Sequence, residues 1–276
     1  MGGVRTADVV PQPGRGADPE RAGAPAAWVR KATVSFRRPR GGGDLVALDG
    51  VSFTLRQGEL LVLVGRSGSG KTTALNLLAG LVEPTMGQVE TLGVTPVQAR
   101  RRTGYMLARD ALLPWRTARA NVSLGLELLP GSRRQRREVA DRHLAAVGMA
   151  EHATHFPNEL SQGQRQRVAL ARTWATQPDL LLMDEPFSAV DPETRERLHG
   201  EFLEHWQRTA SCSAVFVTHD LNEAIALGDR ILVFDGGRIV KEFEVPFARP
   251  RDLLTITRDP QARAVYSEIR EVLAAA

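Results

Sequence analysis

One stretch, Gly65-Arg66-Ser67-Gly68-Ser69-Gly70-Lys71-Thr72-Thr73, limits what the rest of this chain can fold into. It satisfies the template G-x-x-x-x-G-K-[ST] at every fixed position. The apolar run Leu60-Leu61-Val62-Leu63-Val64 before it predicts a buried strand, and Ala74-Leu75-Asn76-Leu77-Leu78-Ala79 after it predicts a helix. Strand, glycine-rich turn and helix together form a cradle in which backbone N–H groups and the positive helix end face a phosphate chain. Lys71 then reaches the β- and γ-phosphates of a nucleotide, and the Thr72 hydroxyl offers an oxygen to Mg²⁺. The plain alternative is a Gly/Ser turn that holds a lysine by accident. Only three lysines (Lys31, Lys71 and Lys241) stand among the 36 basic residues, so chance placement at the one required position is a poor explanation.

Composition sets the outer bounds. A chain of 276 residues allows one or two domains with ample core. The net charge of +4 comes largely from arginine and reads as solvated surface rather than a nucleic-acid footprint. The cluster Arg133-Arg134-Gln135-Arg136-Arg137 has no interleaved aromatic residue and is read the same way. Cys212 stands alone, which excludes an intrachain disulfide and fits a reducing compartment. No apolar run approaches the ~20 residues of a membrane span, and the N-terminus lacks the apolar core of a signal peptide. The expectation is a cytoplasmic protein that reaches a membrane only through a partner.

In chain order, residues 1–27 are rich in Pro, Gly, Ala and Arg and predict a disordered tail. Trp28–Phe36 and Val46–Leu55 predict strands flanking the turn Arg40–Asp44, and Gln88–Leu92 and Thr103–Leu107 predict further strands. Ala120–Leu128 and Arg133–Val147 carry a helical period, and Leu160-Ser161-Gln162-Gly163-Gln164 feeds the helix Val168–Thr176. His152 and His155 have the spacing of a metal pair, but Pro157 is close and no third ligand follows.

The apolar strand Leu180–Met183 then delivers Asp184-Glu185-Pro186. One carboxylate at the end of such a strand can hold Mg²⁺ opposite Thr72, and a second beside it can take a proton from an attacking water. Ser188–Pro192 opens the helix Glu193–Arg208, with Pro192 in its first turn. Strand Ser213–Thr218 brings His219 to the same sheet edge as Lys71 and Asp184, where open α/β sheets bind ligands. Ile231–Phe234 and Arg238–Phe243 predict a hairpin, and Gln261–Leu273 a terminal amphipathic helix.

Over about Trp28 to Phe247 the chain resembles the ATP-binding subunit of an ATP-binding cassette (ABC) transporter. The elements that carry the resemblance occur in the family's order: Phe36, the phosphate loop Gly65–Thr73, the signature Leu160–Gln164, the strand Leu180–Glu185, the D-loop-like Ser188–Asp191, and His219. Leu112-Leu113-Pro114-Trp115-Arg116 followed by Asn121-Val122 resembles importers of the nitrate, sulfonate and taurine type. The resemblance implies an α/β phosphate-loop NTPase fold of the ABC ATPase type: a mixed sheet core, an antiparallel β subdomain and an inserted helical subdomain. It implies an ATPase domain over 28–247, with the helical part at about 108–177, and a helical extension over 248–276.

The resemblance further implies a head-to-tail dimer of two copies with ATP at the seam, and membrane attachment through a permease that works with a solute-binding protein. Phe36 and Gly65, Arg66, Ser67, Gly68, Ser69, Gly70, Lys71, Thr72 and Thr73 would hold ATP from one side, Phe36 by stacking on adenine. Ser161, Gly163, Gln164 and Asp191 of the other copy would close the second side. Thr72 and Asp184 would bind Mg²⁺, Glu185 would act as general base, and His219 would contact the γ-phosphate and position water. The alternative is a soluble ATPase of the same family not coupled to transport; such proteins normally show a tandem second cassette, or a long coiled-coil insertion between the phosphate loop and the signature, and this sequence shows neither. A phosphate-loop kinase or GTPase would lack Leu-Ser-x-Gly-Gln.

Two positions depart from the family pattern. Gln162 replaces the usual glycine of the signature, and Ala108 in Gly104-Tyr105-Met106-Leu107-Ala108 replaces the glutamine that names the Q-loop. With Ser161 and Gly163 kept, ATP binding is expected to survive. At Ala108, water or Asp110 is expected to take over the glutamine's contact.

Overall fold

The computed structural model of this protein describes residues 24–37, 43–108, 110–188, 190–209, 212–247, 251, 256 and 258–275. The expected tail to residue 23, the turn residues 40–42, and Arg109 and Ala189 of two predicted loops lie outside the described residues, as do 248–250, where the extension begins.

The fold is built on strands that are buried from both faces. Strand β3 (Leu60–Gly65) is buried at every position, as are β6 (Leu180–Asp184) and β7 (Ser213–Val217). Such runs suit the interior of a parallel sheet covered on both sides. With β5 (Thr103–Met106), β8 (Arg230–Asp235) and β9 (Arg238–Glu244) they form a six-stranded sheet in the order β5-β6-β7-β3-β8-β9. All neighbours are parallel except the β8–β9 hairpin.

Period-2 alternation divides each central strand between two cores. Leu60, Val62 and Val64 face one core, and Leu61 and Leu63 the other. The first core holds the helical layer: α3 (Ala118–Val122), α4 (Arg133–Ala146), α5 (Gln162–Ala175), α6 (Pro192–Arg208), α7 (Leu221–Leu227) and α8 (Pro260–Ala275) supply its side chains. The second holds α1 (Lys71–Leu78), Ala99 at the end of the short helix α2 (Pro96–Ala99), and an antiparallel sheet of β1 (Ala27–Arg37), β2 (Asp44–Leu55) and β4 (Met86–Thr91), ordered β2-β1-β4.

Register levels the strand ends that matter. Val217 pairs with both Leu63 and Asp184, so β6, β7 and β3 finish side by side.

Two local expectations change. The predicted helix Ala120–Leu128 is α3 followed by a separate 3₁₀ turn, Gly125–Leu128. Buried Asn121 spends its amide on the carbonyls of Leu113, Arg116 and Thr117, and Ser123 and Gly125 are weak helix formers. Helix α7 was not anticipated. Its signal is Asp220, whose Oδ1 accepts from the N–H groups of Asn222 (2.9 Å) and Glu223 (3.3 Å).

Candidate functional site at the C-terminal edge of the sheet

The loop between β3 and α1 is held by its own residues. Lys71 is buried, and its Nζ donates to the carbonyls of Gly65 and Arg66 at 2.8 Å each. Gly70 takes φ +102°, and a Cβ there would meet the Ala47 carbonyl at 2.6 Å. Only glycine fits both the conformation and the space. Ala47 lies on β2, two residues beyond Leu45, which pairs with Phe36 on β1. Phe36 is exposed, so its ring stands on the strand pair that borders the loop.

Strand β6 brings Asp184 to this loop. Thr72 Oγ1 donates to Asp184 Oδ1 at 3.2 Å. Burial raises the Asp184 pKa above the ordinary carboxylate value, the Thr72 hydrogen bond opposes that rise, and Glu185 adds to it. Burial also lowers the Lys71 pKa, against the pull of Glu185 and Asp184. Both charges are therefore held at a cost that an anion near Lys71 and a cation near Asp184 would relieve.

Glu185 follows with φ +44°, an unusual conformation for a non-glycine residue. Its carbonyl accepts from Ser188 N–H (3.2 Å) and Ser188 Oγ (3.0 Å), and its N–H donates to the Val217 carbonyl at 3.0 Å. His219, exposed just past β7, has Nδ1 3.3 Å from Glu185 Oε2. Lys71, Thr72, Asp184, Glu185 and His219 are thus gathered where β3, β6 and β7 end.

The signature residues form a second group. Ser161 caps α5 through a reciprocal pair: Gln164 N–H donates to Ser161 Oγ at 3.2 Å, and Ser161 N–H to Gln164 Oε1 at 2.8 Å. A Cβ on Gly163 would meet Thr194 Cγ2 at 2.9 Å, so the signature turn lies against the first turn of α6. Asp191 caps that helix through Thr194 N–H at 3.0 Å. Ser161, Gly163, Gln164 and Asp191 are therefore one surface. Among the described residues no hydrogen bond or ion pair joins Ser161, Gly163, Gln164 or Asp191 to Lys71, Thr72, Asp184, Glu185 or His219.

Gln162 and the loop that follows Ala108 both meet Arg165 on α5. Its Nε lies 3.0 Å from Asp110 Oδ2, its Nη1 donates to the Leu160 carbonyl at 2.8 Å, and its Nη2 donates to Gln162 Oε1. Arg172, about two turns further along α5, donates to the Asp110 and Ala111 carbonyls. The expectation that Asp110 stands in for the missing glutamine is corrected here: its carboxylate is occupied by Arg165 and by Leu112 N–H. Gln162 is a further partner of the same guanidinium.

The His152 and His155 rings lie 5.1 Å apart, tilted by 46°, and His152 Nε2 contacts the Gln164 amide at 3.0 Å. Among the described residues no group of three metal-ligating side chains of the His/Cys/Asp/Glu type is gathered. Sequence reasoning missed Gln166, whose buried amide donates to the Pro186 carbonyl, and Arg195, His199, Thr218 and Glu223, which stand behind the loops that carry Glu185 and His219.

A family model described as ABC transporter matches residues 48–188. The taurine import ATP-binding protein of Rhizobium johnstonii is 40% identical over 244 residues, covering 86% of this chain and 93% of that protein. The nitrate import ATP-binding protein of Synechococcus elongatus is 36% identical over 245 residues, covering 87% and 88%. An aliphatic sulfonates import ATP-binding protein of Burkholderia lata is 46% identical over 209 residues, covering 76% and 63%. A solved structure described as a dimeric bacterial ABC transporter cassette superposes with a TM-score of 0.73 at 31% identity, over 80% of this chain and 100% of that one. A second, with the same statistics, is a dimeric post-hydrolysis state bound to ADP and Pi.

Proposed function

This chain belongs to the ABC transporter family, and we propose that within it the chain is the nucleotide-binding subunit of an importer for nitrate, sulfonate, taurine or a similar small solute. Its activity is ATP hydrolysis that powers transport. The observation that carries the site assignment is the convergence of Lys71, Thr72, Asp184, Glu185 and His219 at three adjacent strand ends.

In this reading Lys71 exchanges the Gly65 and Arg66 carbonyls for β- and γ-phosphate oxygens, and the phosphate chain relieves the cost of its buried charge. Phe36 stacks on the adenine. Thr72 and Asp184 fit Mg²⁺, because they present two hard oxygens side by side and Mg²⁺ takes oxygen ligands while keeping several waters. When bound, the ion supplies charge neutralisation on the phosphate oxygens. Glu185 takes the proton of the attacking water, and the His219 contact fixes where that carboxylate points.

The signature surface completes the γ-phosphate site in trans. It offers a hydroxyl, backbone N–H groups and the N-terminus of the 14-residue helix α5. One phosphate loop and one signature per chain make the partner a second copy, as in the dimeric cassettes it resembles. Residues 28–247 form the ATPase unit, 108–177 its helical part, and 248–276 the extension.

No described helix is long and apolar enough to cross a membrane, so attachment at the cytoplasmic face is assigned to a permease, with a solute-binding protein beyond it. Exposed Leu107, Trp115 and Phe156 supply an apolar surface for that contact. The test is co-expression with a genomically adjacent multi-span protein. Co-purification with ATP-dependent solute uptake is expected, and a chain that hydrolyses ATP but retains no membrane protein would contradict the importer assignment.

A further inference from the structure

Two loops carry the proposed catalytic pair, and each is fastened from behind by α6. Arg195 and His199 lie four residues apart on this helix, hence on one face. Arg195 Nε donates to the Phe187 carbonyl at 3.2 Å, and its Nη2 to the Val190 carbonyl at 3.3 Å. The same guanidinium reaches Asp220 Oδ2 at 3.6 Å. One side chain therefore holds the turn after Glu185 and the residue after His219.

The second fastening is a buried polar chain. His199 Nε2 bonds Glu223 Oε1, and Thr218 Oγ1 donates to Glu223 Oε2. The Thr218 hydroxyl accepts in turn from Asp220 N–H at 3.0 Å. His199, Glu223 and Thr218 are each at most 5% exposed. The bonding order fixes every role. The Glu223 carboxylate is acceptor only, so His199 donates through Nε2–H and Thr218 through its O–H, which leaves the Thr218 oxygen to receive the backbone. His199 Nδ1 is buried without a hydrogen-bond partner, but the bonds through Nε2, Glu223 and Thr218 resist rearrangement, because releasing one of them strands a further desolvated polar group.

We propose that Arg195 and the His199–Glu223–Thr218 chain are positioning residues that lock the Glu185 and His219 backbones into one geometry. Since α6 begins at Asp191 on the signature surface, the same helix ties that surface to the catalytic pair. The inference rests on the assignment of Glu185 and His219 as the catalytic pair. None of these positioning residues needs to touch ATP.

The test compares Thr218→Val, Thr218→Ser and Arg195→Gln with the parent and with Glu185→Gln, measuring kcat, ATP KM and direct ATP affinity. Valine keeps the shape of threonine but removes both hydroxyl roles, while serine keeps them. Misplacing a catalytic group by about 1 Å costs on the order of 10²-fold. Thr218→Val and Arg195→Gln are expected to lower kcat by about 10- to 100-fold with ATP affinity unchanged, and Thr218→Ser to restore most of the rate. Arg195 is only half-buried, so Arg195→Gln carries the test if Thr218→Val fails to fold. Parent-like kcat in Arg195→Gln, or a serine variant as slow as valine, would overturn the proposal. Unimpaired hydrolysis in Glu185→Gln would instead overturn the catalytic assignment on which it rests.

Discussion

The two halves of the nucleotide site are built differently. On the phosphate-loop side, functional groups contact one another directly: Thr72 bonds Asp184, His219 meets Glu185, and Lys71 is held by loop carbonyls. Their positions follow from three strand ends kept level by parallel pairing. On the signature side, Ser161 and Gln164 satisfy each other, and the turn is fastened to the helical layer by Arg165, with Asp110 at its far end. Sheet pairing levels the first half, whose loops α6 then fastens from behind; the second half is set by side-chain clamps between helices and loops. In the proposed function the first half carries the reacting groups, and the second supplies donors with no reacting group of its own. The loop bearing Ala108 is fastened to the second half through Asp110 and Ala111.

The largest expected effect lies in the sheet-built half. Glu185→Gln should lower phosphate release by roughly 10²–10⁴-fold, the range for losing a general base, while ATP titration shows retained affinity. Near-parent turnover would break the distinction between the halves. Lys71→Ala comes next. Losing charge-assisted hydrogen bonds of about 1.5–3 kcal/mol should weaken ATP binding by roughly 10- to 150-fold in calorimetry. Unchanged affinity would move the phosphate site elsewhere.

Asp110→Ala sharpens the comparison from the clamp side. It should reduce turnover without affecting ATP affinity of the isolated chain, and adding it to Arg165→Ala should cost little beyond that single change, because the ion pair is then already gone. Additive losses would show that Asp110 acts on the site by another route. Ala108→Gln should change turnover less than about tenfold, since water fills the missing Mg²⁺ contact.

The smallest effect is on stability. The folded Asp184 pKa lies above its unfolded value, so the stability this group lends is present at low pH and lost as pH rises through the folded value. Lys71 is the mirror case: its lowered pKa lends stability above the unfolded value, lost as pH falls through the folded one. At neutral pH both are held charged at a cost. Asp184→Asn should therefore raise the unfolding midpoint by about 2–4 °C, the shift that ~1 kcal/mol gives, while hydrolysis is lost. A lower midpoint would show that the Thr72–Asp184 contact outweighs desolvation.

The sheet-built half was largely legible in the sequence. Buried strands announce themselves as short apolar runs, and the residues proposed as functional stand at or just past the ends of those runs: Gly65, Asp184, His219. The clamps were not legible. Arg165, Arg195 and His199 look like ordinary helix-face residues until loops remote in sequence supply their partners. Asp110 was misread for the same reason, since loop spacing could not foresee that Arg165 would claim its carboxylate. Helix α7 was missed because seven residues carry little periodicity, although Asp220 as its cap was visible.

The central claim is that the two halves belong to one site only when two chains meet. Light scattering on a sizing column, with Glu185→Gln at saturating ATP and Mg²⁺, tests it most directly. The variant should bind ATP, fail to hydrolyse it, and elute at twice the chain mass, returning to the single-chain mass when nucleotide is removed. A single-chain mass with ATP demonstrably bound would contradict the account.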